Sequence, residues 1–93
     1  MGFEWDDRKA DQNLENHGID FRRASELFDG RSIVVVESPR DGELRWVATG
    51  RDHDELWAVV FTRRGEDIRI ISARRAHKRE KERYYRSLLG RRD

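Results

Sequence analysis

Apolar positions along this chain change period near residue 30, from helical spacing before it to strand-like alternation after it. Phe3-Glu4-Trp5 alternates and reads as a short strand, after which Asp6 can cap a helix running to His17. Ala10, Leu14 and His17 fall at i, i+4 and i+7, which makes them the expected inward stripe of that helix. Gly18 follows as the residue just past the helix end, where a left-handed backbone costs glycine little. Asp20 caps a second helix with Phe21, Ala24, Leu27 and Phe28 on its apolar side, and Asp29-Gly30 ends it.

Ile33-Val34-Val35-Val36 is β-branched throughout, and Pro39-Arg40-Asp41-Gly42 reads as a turn, so a hairpin is expected. Leu44, Trp46 and Ala48 alternate with Arg45, Val47 and Thr49 in a strand that stops at Gly50. A polar loop, residues 51–55, leads to a Leu56–Thr62 strand, and Gly65-Glu66-Asp67 turns into Ile68–Ala73. The last two strands are apolar on both parities, which predicts cover on both faces. A third helix is expected from Ala76 to Leu89, with Tyr84, Tyr85, Leu88 and Leu89 in its last turns and only Ala76 apolar in its first two. Its first two turns therefore face solvent, a ligand or a partner. The fold class is α+β, with two N-terminal helices and a C-terminal helix packed with a four-stranded antiparallel sheet, in one domain over residues 1–93.

Composition narrows the function. Charged residues make up 42% of the chain, against about 25% in an ordinary domain, so the core must be thin. There is no cysteine, which removes disulfides, thiol nucleophiles and thiolate metal sites and fits a reducing cytoplasm. The longest apolar run, Leu56–Phe61, is far too short to cross a bilayer, and the first residues show no secretory pattern, so no membrane association is expected.

Charge sharpens the picture further. A net charge of +1 conceals two unlike parts: residues 1–60 hold 8 Lys+Arg against 14 Asp+Glu, whereas residues 61–93 hold 12 against 5. The second part, at +7, interleaves arginines with aromatic rings, the combination that binds the phosphates and bases of RNA or DNA. The cations are 17 Arg and only 3 Lys, favouring anion clamping over proton transfer. Arg91 and Arg92 read as solvated surface charge.

Cleavage of RNA without a metal requires positive charge on the nonbridging oxygens and groups that move protons. Arg45, Arg64, Arg69 and Arg74 are candidates for the charge; a carboxylate, a histidine or a tyrosine is a candidate for the proton. Glu80 and Tyr84, at i and i+4, share one face of the third helix. Arg69, Arg75, His77, Lys78 and Arg79 are expected to bind RNA, with His77 either a general acid or helix surface. His17 reads as a helix cap. Asp52, His53, Asp54 and Glu55 are consecutive and cannot all converge on one ion, so neither metal nor cofactor is expected. Trp46 shares a face with Leu44 and Ala48 and reads as packing.

These segments carry a resemblance. Phe3-Glu4-Trp5-Asp6, Lys9, Asn13, His17-Gly18-Ile19 with Phe21 and Ala24, Phe28-Asp29, Gly42-Glu43-Leu44-Arg45, Gly50 and Val59–Arg64 all resemble the BrnT toxin family. Ile70-Ile71-Ser72-Ala73-Arg74-Arg75-Ala76, followed by Glu80 and Tyr84, is its most specific part. The resemblance implies a RelE-like fold and a ribonuclease toxin that arrests translation. It also implies neutralisation by a BrnA-like antitoxin with a ribbon-helix-helix domain, operator DNA being bound only through that complex. Carried over residue by residue, the implied catalytic set is Arg45, Arg64, Arg74, Glu80 and Tyr84. Asn16 departs from the family, in which a lysine often precedes the His-Gly pair. A catalytically inactive module that binds nucleic acid or antitoxin on the same scaffold is the competing reading.

Overall fold

The computed structural model describes residues 1–90; the expectation for Arg91 and Arg92 lies outside the described residues. Strand β1 (Phe3–Glu4) leads into helix α1 (Asp7–His17) and helix α2 (Phe21–Ser25), which tightens into a 3-10 turn over Glu26–Phe28. Strands β2 (Ile33–Glu37), β3 (Trp46–Asp52), β4 (Glu55–Arg64) and β5 (Asp67–Arg75) follow, and helix α3 (Lys78–Leu89) closes the order. No helix among the described residues is long and apolar enough to cross a membrane.

The local signals act as expected at the first helices. The Asp6 carboxylate accepts from the Arg8 and Lys9 amides at 2.9 and 3.1 Å, and Asp20 accepts from the Arg22 amide at 2.7 Å. Gly18 turns the chain at φ 70°, and its amide donates to the Leu14 carbonyl at 2.9 Å.

The sheet corrects the four-stranded antiparallel expectation. Its order is β1-β5-β4-β3-β2, five strands, of which β2 to β5 form the expected meander and β1 joins in parallel beside β5. Phe3 lies opposite Ile68 and Glu4 opposite Arg69, and the Ile68 amide donates to the Gly2 carbonyl at 2.9 Å. The first strand thus covers part of an edge contributed by the last, a pairing that no local pattern signals. β3 also runs two residues past Gly50, and the expected loop over residues 51–55 shrinks to a tight turn at His53, φ 53°. Gly50 is required there by space: a Cβ would meet Ile33 Cγ2 at 2.8 Å and Leu27 Cδ2 at 3.1 Å.

Two clusters cover the two faces. Ile19, Phe21, Ala24 and Leu27 pack on Ala48, Trp57, Val59, Phe61, Ile70 and Ala73. Trp46 stacks on Phe61 with centroids 5.7 Å apart, the packing role read from its strand parity. On the other face Leu56 and Ala76 meet Tyr84, with Val34 and Leu88 beside them. α3 contributes Tyr84 and Leu88, both in its second half, to this cluster, so this face is covered there and left partly open elsewhere. The expectation of cover on both faces thus holds for only part of β4 and β5, because a helix of twelve residues with one apolar end cannot span the sheet.

α1 is rotated from the expected stripe. Leu14 is 50% exposed, and the buried residue is Asn13, whose amide nitrogen donates to the Ile19 and Ala73 carbonyls at 3.0 and 2.9 Å. Its oxygen accepts from the Ala73 amide at 3.1 Å. Backbone groups at the uncovered part of the β5 edge demand a partner more strongly than one leucine demands burial.

Candidate nucleic-acid interface

Strand alternation sorts the arginines. Ile68, Ile70 and Ala73 point into the larger core, so Arg69 and Arg74 fall on the opposite, partly open face. Between them the register of β4 with β5 shifts: Val60 pairs with Ser72 but Phe61 with Ile70, which leaves Ile71 as an extra residue in a β-bulge. The bulge keeps Arg69 and Arg74 on one face despite their odd separation.

At the open end, Arg45, Arg64 and Arg69 line a cleft of about 280 Å³ together with Thr62, Ile71 and Lys9 of α1. Lys9 comes from the other side of the sheet and was not expected among the site residues; its place in the family resemblance was the available signal. Each arginine carries a carboxylate. Glu4 lies between Arg64 Nε at 3.3 Å and Arg69 Nη1 at 3.5 Å, and Glu43 lies 3.4 Å from Arg45 Nη2. Arg45 Nε is buried and has no hydrogen-bond partner among the described residues.

Arg74 stands apart from this cleft, five residues along β5 from Arg69, roughly 15 Å at strand rise. Its two terminal nitrogens donate to Glu80 Oε1 and Oε2 at 2.7 and 3.0 Å, a bidentate pair. The same Glu80 accepts from the His77 backbone amide at 2.7 Å, which caps α3. Burial opposes the charge on Glu80, but the Arg74 side chain and the His77 amide outweigh it and hold the carboxyl below its usual range. His77 itself is exposed at the start of α3, its Nδ1 4.0 Å from Glu80 Oε1, and Lys78 and Arg79 are exposed beside it.

Two expected site residues are placed elsewhere. Tyr84 is 5% exposed and packs on Leu56 and Ala76, whereas its neighbour Tyr85 is 46% exposed and accepts from Arg51 Nη2 at 2.9 Å. Arg75, adjacent to Arg74, points to the opposite face, where it donates to Glu55 at 2.7 Å and to the His17 carbonyl at 3.0 Å. Among the described residues no three His, Asp or Glu side chains gather as a metal site.

The chain is an α+β domain with Arg45, Arg64, Arg69 and Arg74 on one partly open sheet face. Residues 5–80 match the model of the family described as the ribonuclease toxin, BrnT, of type II toxin-antitoxin systems, and the chain belongs to that family. It is therefore a ribonuclease toxin of a type II system, a class that acts on RNA and is paired with an antitoxin. Tyr84 lies beyond the matched residues. No curated protein matches the chain significantly.

Proposed function

We propose that this toxin cleaves single-stranded RNA without a metal, and so arrests translation. The observation that carries the reading is one partly open sheet face that bears the Arg45–Arg64–Arg69 cleft, with Lys9 reaching in from α1, and Arg74 farther along β5. An RNA strand lies along β5, one phosphate held in the Arg45–Arg64–Arg69 cleft and another at Arg74. The buried Arg45 Nε is a donor that a phosphate oxygen would satisfy.

In the reaction the 2′ oxygen forms a bond to the adjacent phosphorus while the bond from phosphorus to the 5′ oxygen breaks. The 2′ proton leaves to a base, and a proton is delivered to the departing 5′ oxygen. Arginines stabilise the charge on the nonbridging oxygens, which is where cations help most. Glu80 acts here as the positioning residue of Arg74, since all its strong contacts are spent on Arg74 and on the cap of α3. His77, exposed beside that pair, is the proton carrier, and Tyr84 supports α3 from the core. The Arg75, Lys78 and Arg79 side chains add long-range attraction.

A BrnA-like ribbon-helix-helix antitoxin would inhibit by covering the surface around Arg64 and Arg74, because occlusion blocks substrate and masks the charge that draws it. Operator DNA would then be bound through the antitoxin. Expression of the isolated chain should stop growth, and the Arg64→Ala/Arg74→Ala double variant should not. Products ending in a 2′,3′-cyclic phosphate, formed undiminished in EDTA, support the mechanism; loss of cleavage in EDTA with rescue by Mg²⁺ rejects it.

A further inference from the structure

Beside the arginine cleft runs a second groove of about 300 Å³, between α1 and the part of the β5 edge that β1 leaves bare. We propose that this groove seats an unpaired base of the RNA strand and reads it with Gln12 and Asn16. The proposal rests on the RNA reading above and adds a subsite for sequence choice.

The groove exists because β1 pairs only with Ile68 and Arg69. Beyond them α1 drops against the edge, held at a fixed distance by the hydrogen bonds of Asn13 to Ala73. Gln12 and Asn16 follow one another at i and i+4, about 6 Å apart along the helix, and both line the groove. The side of α1 turned to the sheet is taken by Ala10 and Asn13, and Gln12 and Asn16 stand exposed beside it at the mouth of the groove. Neither Gln12, Asn16 nor Ser72 has a side-chain hydrogen bond or ion pair among the described residues.

The two recesses differ in chemistry and are continuous. Lys9 and Ile71 line both. The first is rich in arginine and suits a phosphate; the second holds amides, each offering a donor and an acceptor, with Lys9 at the junction and His17 at its far end. Phosphate contacts position a nucleic acid and base contacts specify it, and single-stranded bases are read on their hydrogen-bonding edges. A phosphate in the arginine cleft would place the attached nucleoside at the Lys9–Ile71 junction. Ile71, pushed out by the bulge, offers an aliphatic surface to the flat base while the amides meet its edge.

Binding of short non-cleavable 2′-O-methyl RNAs, randomised at one position at a time, tests the proposal without requiring catalysis. Wild type should prefer one base at one position by about fivefold or more, and Gln12→Ala/Asn16→Ala should reduce that to below about twofold. Lys9→Ala should weaken all sequences alike. Both replaced amides are exposed and alanine favours helix, so the melting temperature should hold; Gln12→Glu, which keeps an acceptor and loses the donors, should change the preferred base. An unchanged preference in the double variant, an equal loss for every base, or a wild type indifferent to sequence overturns the proposal. So does loss of antitoxin binding in the double variant with its RNA preference intact, which would make the groove a protein seat. Preference abolished in the variant while unmodified RNA stays uncut by wild type supports the base subsite and rejects the ribonuclease mechanism.

Discussion

Asn13 takes the place of a strand beside Ala73: one side-chain amide answers both the N–H and the C=O of a residue sixty positions away. The contact fixes α1 against β5 and sets the separation of the two walls on which Lys9 and Arg69 stand. Asn13→Ala should leave the Ala73 amide and the Ile19 and Ala73 carbonyls without this partner, and destabilise the fold by about 2–4 kcal/mol. Urea unfolding of the variant measures it, and a loss below about 0.5 kcal/mol would show that these groups find other partners.

Glu80 makes stability depend on acid. Its carboxyl is held below the ordinary value of 4.5 in the folded chain, so its contribution is present above that value and is lost as pH falls through the lowered one. Melting temperature should decline from about pH 5 downward, and Glu80→Gln should be less stable at neutral pH with a shallower acid limb. Parallel acid limbs for the two proteins would rule out Glu80 as the source.

If RNA is held as proposed, Glu4 competes with it for Arg64 and Arg69. It sits within 3.5 Å of both Arg64 and Arg69, and neutralising it should raise RNA affinity several-fold and steepen its salt dependence. Because the pair is exposed, Glu4→Gln should cost less than about 1 kcal/mol of stability. Fluorescence anisotropy across a salt series checks this, and affinity equal to or below wild type contradicts it.

The two tyrosines should separate cleanly. Tyr84→Ala removes a buried ring from beneath α3 and should cost about 3–5 kcal/mol, while Tyr85→Ala, on the exposed side, should cost far less. Equal losses would contradict their placement.

At Gly50 an added methyl meets Ile33 and Leu27 at closer than ordinary contact. Gly50→Ala should therefore destabilise by about 1–3 kcal/mol through overpacking. Calorimetry showing an unchanged melting temperature would mean that β2 shifts freely.

Much of this protein was written in short-range signals. Asp6, Asp20 and Gly18 act on amides and carbonyls within a turn of themselves, so the starts of the first two helices and the end of the first were legible from the residues alone. Period-two alternation signalled that Trp46 packs against the core, and the arginine excess of the C-terminal third was plain from the residues. Alternation could also say that Arg74 and Arg75 part company, but not which of them meets the open face. That depended on where α3 stops covering the sheet, which its apolar second half settles by docking on Leu56 and Val34. The parallel strand β1, the bulge at Ile71, the inward turn of Asn13 in place of Leu14 and the arrival of Lys9 at the cleft were decided only by tertiary structure. Each joins or displaces groups by contacts far apart in sequence, Glu4 with Arg69 and Asn13 with Ala73. What selects them is the need of a bare strand edge for hydrogen-bond partners, a demand that arises only once β5 stands at the side of a sheet.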